Sequence, residues 1–299
     1  MIIQAIVNLI ITTLIWNQAL VPAGLLLDKD GDNNSNTNII VPQRTLDNRS
    51  LGIKVTAPSA IVMDIKSGEI LFEKDIHQPM PIASLTKLMS ALVFLEGNPD
   101  FNQVFTIKAE DYRPGSTVAF YNGEEVTIRD LFYSALAGSA NNAIVSLARS
   151  TGKSQEEFVN IMNRQAKILG LKNTAFVEPT GLDAGNVSTA YDVARLTAYA
   201  LRDERIRQAV TTTDYSFRVI NTGRRQQVRN TNRLLDSFLH ITGGKTGFTD
   251  AADYCLASRV INDQGGEIMV AVLGSASEES RFQEVKGLAW WAFDNYKWE

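Results

Sequence analysis

The chain has 299 residues, 44% of them hydrophobic and 21% charged, and its 29 Lys and Arg against 33 Asp and Glu leave a net charge of −4. This is the balance of a folded chain long enough for one large domain or two small ones, with no electrostatic reason to expect nucleic acid as a partner. One cysteine, Cys255, and two histidines, His77 and His240, exclude a disulfide framework and a histidine- or cysteine-rich metal site, so no metal or other cofactor is expected and the chemistry must run largely without imidazole.

From Met1 to Leu27 no side chain carries a charge, and Ile, Leu, Val and Ala dominate. The stretch exceeds the roughly 20 apolar residues that cross a bilayer. Gln4, Asn8, Asn17 and Gln18 dilute it and Pro22 interrupts it, while Val21-Pro22-Ala23 has the small-x-small form of a signal-peptidase site. No Lys or Arg precedes the apolar run, as a signal peptide normally requires. Residues 1–27 are therefore expected to be a signal peptide or N-terminal membrane anchor that exports the chain. The alternative, a buried core helix, is disfavoured because no polar face recurs at a 3.6-residue period. Residues 28–50, rich in Asn and Asp, read as a flexible linker. Asp28, Asp30 and Asp32 alternate as in a calcium loop, but glycine falls at Gly31 and the twelfth position is Ile39, which cannot ligate.

Two strand-like runs, 60–65 and 69–74, flank Lys66-Ser67-Gly68 and predict a hairpin. Helical spacing of Leu85, Leu88, Met89, Leu92 and Val93 predicts a helix over 84–96, and further helices are expected over 127–137, 143–148, 155–169 and 189–201. Strands return at 217–220, 241–248, 253–261 and 267–274, followed by an amphipathic helix over 278–296. Strands at both ends around a helical middle predict one mixed sheet with a helical insertion.

Three short patterns carry candidate chemistry. In Ser84-Leu85-Thr86-Lys87 a helix would put serine and lysine on one face, about 5–6 Å apart at Cβ, so a desolvated lysine can serve as the base for the hydroxyl. Pro81 upstream places the serine in the first turn, where free backbone N–H groups favour a developing oxyanion. A second copy, Ser150-Thr151-Gly152-Lys153, contains glycine at a helix end and reads as a C-cap turn. Ser139-Ala140-Asn141 sits at a break between helices, where an N-cap is the simplest explanation. Lys245-Thr246-Gly247 opens a hydrophobic strand pair after Gly243-Gly244.

In their order and spacing these three patterns resemble the low-molecular-mass penicillin-binding proteins, the D-alanyl-D-alanine carboxypeptidase and endopeptidase family of the serine β-lactamase/penicillin-binding superfamily. PIASLTKLMSALVFLE, GEEVTIRDLFYSALAGSANNAI, FVEPTGLDAGNVSTAYDVARL, NTNRLL, ITGGKTGFTDAADYCLA and LAWWAFDNY extend the likeness over roughly 55–297, with EPTGL and NVSTA nearer the endopeptidase branch. The resemblance implies an α/β (α+β) fold, a mostly antiparallel sheet flanked by helices with an inserted helical subdomain, and a catalytic domain over 51–299. It implies Ser84 as nucleophile, Lys87 as its base, and Ser139 with Lys245 relaying a proton to the leaving amine. Asn141 would hold the substrate amide, Lys245 and Thr246 the terminal carboxylate, and the N–H groups of Ser84 and Phe248, beyond Gly247, the oxyanion.

The expected activity is D-Ala-D-Ala carboxypeptidase action on peptidoglycan stem peptides, with β-lactams as inhibitors; cross-link cleavage by the same groups is the alternative. A class A β-lactamase fits less well, because Glu178 lies in EPTGL rather than in an ExxLN-like run. A non-catalytic wall-binding protein would be signalled by a lost nucleophile or base. The expected location is the periplasm or the outer face of the cytoplasmic membrane, with any membrane attachment N-terminal, since no carboxy-terminal domain is expected after the last helix. Oligomeric state is not legible. Asn142 stands where Asp is common, and Asp253 stands where Gly is expected, which predicts strain at that strand edge. No G-x-S-x-G elbow accompanies His77 or His240, Cys255 reads as a buried thiol, and Trp290, Trp291, Phe293 and Trp298 read as packing groups.

Overall fold

The computed structural model describes residues 40–45, 52–114 and 120–298; the expected leader and most of the expected linker lie outside them. Five strands form one antiparallel sheet: β1 (Ser59–Asp64), β2 (Ile70–Lys74), β3 (His240–Thr249), β4 (Asp253–Ile261) and β5 (Glu267–Ser275), in the order β3-β4-β5-β1-β2. The β1–β2 turn is the predicted hairpin. Asp64 Oδ1 accepts from the Ser67 backbone N–H and hydroxyl, and Gly68 takes φ +75°, so Lys66-Ser67-Gly68 is turn chemistry.

The central strand β5 is apolar at nearly every position because both sheet faces are covered. Ile268, Val270 and Val272 pack with Phe282, Val285 and Leu288 of the C-terminal helix; Met269, Ala271 and Leu273 join the core of the helical lobe. The strand period of two therefore sorts one strand into two cores.

The helical lobe contains α1 (Thr86–Leu95), α2 (Ile128–Leu136), α3 (Asn141–Ser150), α4 (Gln155–Ile168), α5 (Ala190–Ala200) and α6 (Glu204–Thr211), and α7 (Glu278–Asn295) lies across the other face of the sheet. Thr127 with Asp130 and Ser154 with Glu157 form reciprocal capping boxes that start α2 and α4. Leu88 and Met89 of α1 are fully buried among Phe132, Phe158 and Met162, which makes α1 the hub of this lobe.

Some elements differ from the sequence expectation. Helix α6 is too short for periodicity to reveal it. The strand expected at 217–220 instead belongs to the hairpin Asp214–Arg218/Arg225–Arg229, whose polar alternation hides it. Within the expected linker, Gln43–Arg44 ladders with Tyr296–Lys297. Trp298 is buried beyond the end of α7, its Nε1 donating to Asp64 Oδ2 at 2.8 Å, and Trp291 packs edge-on to Phe72. Trp290 departs from the packing expectation: it is 63% exposed on the outer face of α7, beside an exposed Phe238. Cys255 is fully buried on β4, and burial pushes its thiol up to about 12. Among the described residues no helix is long and apolar enough to cross a membrane.

Candidate active site

Ser84 lies in a single 3-10 turn, Ala83–Leu85, immediately before α1, so α1 begins two residues later than periodicity suggested. Ala83 takes φ +46°, which costs an L-residue on the order of 1–2 kcal/mol. Two glycines hold that turn from opposite chain segments. A Cβ on Gly181 (φ +87°) would overlap the Ala83 carbonyl oxygen, and one on Gly247 of β3 would come within 2.9 Å of the Ile82 oxygen and 3.2 Å of the Ser84 nitrogen. Backbone from a loop and backbone from a strand thus press directly on the serine's peptide.

Lys87, one turn along, is fully buried, and its Nζ lies 2.7 Å from each of Ser84 Oγ, Asn141 Oδ1 and the Thr180 carbonyl oxygen. Burial lowers its pKa to about 7, against the upward pull of the negative Glu178. A neutral amine has two protons and one lone pair. The two carbonyl oxygens can only accept, so they take both protons and leave the lone pair facing the Ser84 hydroxyl. That is the geometry of a general base. Because only the neutral amine can take the proton, acylation of Ser84 is expected to rise about tenfold per pH unit below about pH 7 and then level off. Stopped-flow acylation rates across pH 5–9 check this; a flat profile would remove Lys87 from the role.

Across the cleft Lys245 of β3 is also buried, and its Nζ donates to Ser139 Oγ at 2.9 Å. Burial first, then the positive charges of Lys87 and Arg281, push its pKa well below the usual lysine range. The two lysines are therefore not lowered by the same causes. Lys245 responds to Lys87, whereas Lys87 is lowered by desolvation.

Ser139 does not cap α3. Ala140 is the N-cap residue and makes no side-chain bond, while Ser139 takes φ +57° and turns its hydroxyl to Lys245. Asn141 opens α3 with both ends of its amide in use: Oδ1 accepts from Lys87, and Nδ2 donates to the Pro114 carbonyl at 2.6 Å. Thr246 Oγ1 bonds to Thr231 Oγ1 at 2.5 Å, and the Gly247 carbonyl accepts from Arg281 Nη1 at 3.0 Å. Phe248 is exposed and stacks on Tyr254 at the rim. All eight residues singled out in the sequence therefore meet at one cleft or in the wall beneath it.

The cleft encloses about 1070 Å³ and runs from Ser84, Ser139 and Thr246 past Phe248 to Arg229 and Asp250. Asn142 does not line it; its Oδ1 accepts from the Ala143 N–H. Asp253 is exposed with φ +50° where β4 begins, so the expected strain is present as a left-handed backbone at a hairpin corner. Sequence reasoning missed Thr180, which acts through its carbonyl and so leaves no side-chain signature. It also missed Gly181, Thr231 and Arg281, which matter through the neighbours that folding brings to them.

A family model described as D-alanyl-D-alanine carboxypeptidase matches residues 45–277. The chain is 33% identical over 247 residues to D-alanyl-D-alanine carboxypeptidase DacF of Bacillus subtilis, an alignment covering 81% of this chain and 63% of that protein. It is 32% identical over 241 residues to a D-alanyl-D-alanine endopeptidase of Pseudomonas aeruginosa, covering 80% and 77%. The chain thus spans under two thirds of the carboxypeptidase's length. Among solved structures, the Streptomyces K15 DD-transpeptidase superposes with a TM-score of 0.76 at 27% identity, covering 81% of this chain and 98% of that one.

Proposed function

The chain belongs to the D-alanyl-D-alanine carboxypeptidase family, and we propose that it is a serine-type D-Ala-D-Ala carboxypeptidase of the cell envelope, acting on peptidoglycan stem peptides through an acyl-enzyme on Ser84. One observation carries the reading: a buried amine 2.7 Å from a serine hydroxyl and 2.7 Å from each of two carbonyl oxygens that can only accept. Ser84 Oγ bonds to the carbonyl carbon between two D-alanines as its proton passes to Lys87 Nζ. The carbon–nitrogen bond then breaks as Ser139 gives its proton to the departing amine and is refilled through Lys245, and the proton that Lys87 gained from Ser84 makes good that loss. Water attacks the ester, releases the shortened peptide and restores the hydroxyl.

Lys245 and Thr246 receive the terminal carboxylate. A carboxylate beside Lys245 favours its ammonium form, so binding itself recharges the lysine that must hold the substrate. The N–H groups of Ser84 and Phe248 are assigned to the oxyanion, and Gly247 to the close backbone approach. β-Lactams, as mimics of the scissile amide, would acylate the same serine. Export through the N-terminal segment, with or without retained membrane association, completes the proposed location.

A second reading, D,D-endopeptidase, is favoured by the cleft. It continues beyond Ser84 and Thr246 to Arg229 and Asp250, the region to which the second arm of a cross-link is assigned in this reading. The endopeptidase relatives support it equally. Incubating the purified protein with a pentapeptide monomer and with a cross-linked dimer separates the two by product. Failure on both substrates would defeat the proposal. A class A β-lactamase is disfavoured because the Glu178 carboxylate is engaged by three backbone N–H groups and Asn186 and does not line the cleft.

A further inference from the structure

Glu178 has no part in the steps above, yet it is tied to the base. Its Oε2 accepts from the Thr180 N–H at 2.7 Å; its Oε1 accepts from the Gly181 N–H, from the Leu182 N–H at 3.0 Å and from Asn186 Nδ2 at 2.6 Å. These bonds curl residues 180–182 around one carboxylate. The outer side of the curl carries the Thr180 carbonyl that accepts from Lys87, and the Gly181 backbone pressed against Ala83 and Ser84. Two further bonds fix its direction: Ser90 of α1 donates to the Pro179 carbonyl at 2.7 Å, and Asn186 Oδ1 accepts from the Val177 N–H at 2.7 Å.

We propose that Glu178 is a positioning residue for Lys87: by gathering the N–H groups of residues 180–182 it aims the Thr180 carbonyl at the amine, and so aims the remaining lone pair at Ser84. The inference rests on the reading that Ser84 and Lys87 are nucleophile and base. It differs from a plain loop-stabilising role because the same carboxylate acts on the amine electrically. Charged neighbours of Lys87 are Glu178 from this loop and Lys245 from β3, itself beside Arg281 of α7. Among the described residues no ion pair reaches Lys87 Nζ, and the packed helices offer it only Asn141. Glu178 thus has two opposed effects: its shape directs the lone pair, and its charge favours the protonated, inactive amine.

Two variants separate these effects. Glu178→Gln removes the charge and replaces one acceptor oxygen with a donor, so the acid limb of the acylation profile moves to lower pH while the plateau rate drops about tenfold. Glu178→Asp keeps the charge but falls one methylene short of the loop, so the plateau drops and the limb stays. The measurement is the pH dependence of labelled-penicillin acylation on the purified full chain, normalised to the folded fraction from thermal melting. Absence of any adduct on the wild-type protein would overturn the catalytic reading on which the inference stands. A wild-type protein that acylates, beside a Glu178→Gln variant with unmoved limb and plateau, would overturn the inference itself, as would losses that merely track the folded fraction.

Discussion

Ser84→Ala is expected to leave no covalent adduct with a labelled penicillin, and Lys87→Met to slow adduct formation by about a thousandfold or more. The first loss follows from removing the atom that forms the bond. The second follows from geometry: at 2.7 Å Lys87 Nζ is the only titratable group bonded to Ser84 Oγ among the described residues, so no other base stands ready. Because the two act on one proton, their effects should not add: the double variant should be no slower than Ser84→Ala. Intact-mass spectrometry followed by peptide mapping reads both. Lys87→Met strips the donor from Asn141 Oδ1 and Thr180 O, at about 1–3 kcal/mol each, and also relieves a buried amine of its desolvation. Melting curves must therefore accompany the rates. Adduct on a peptide other than the one containing Ser84 would overturn the assignment of nucleophile and base together.

Gly181→Ala is expected to be severe although no side-chain contact is lost. Its φ of +87° is unfavourable for any residue with a Cβ, and the added methyl would enter the Ala83 carbonyl oxygen and stand 2.9 Å from Ser84 N. Neither obstacle is a flexible side chain that can swing aside. Gly123 supplies the control, with φ +85° and nothing within 4 Å of an added Cβ. Gly123→Ala should cost about 1 kcal/mol, the backbone preference alone. Gly181→Ala should cost about 2 kcal/mol beyond that, as overpacking does, and slow acylation about a hundredfold by moving the turn that carries Ser84. Chemical denaturation gives the first comparison and adduct kinetics the second. Equal stability losses with unchanged acylation would show that the loop does not hold Ser84 in place.

The difference between these two glycines illustrates how legible the chain was. Both stand in turn-like sequence, and nothing local distinguishes them. The same holds for the two Ser-x-x-Lys patterns, until Gly152 at φ +73° ends α3 and separates Ser150 from Lys153. For Ser84 and Lys87 the helical spacing already placed both groups on one face. Strands β4 and β5 were readable to within a residue because a short apolar run with polar residues at its ends is a property of the segment. The hairpin over 214–229 was not, since its strands carry Arg and Gln where a core-facing strand would show Val or Ile.

What the sequence by itself determined is therefore what depends on near neighbours: helix and strand periods, caps, turns, and the serine–lysine step of one helical turn. Its three motifs, through their order, also named the family. Only the tertiary structure decided that Lys87 meets Asn141 across 54 residues and that Lys245 meets Ser139 across 106. It alone made both amines lose their water, turned Ala83 and Ser139 left-handed, and brought an anonymous carbonyl at Thr180 to Lys87. Proton affinity and lone-pair direction are set by what surrounds an atom in space, and those surroundings come from segments whose own sequence carries no trace of the partner they will meet.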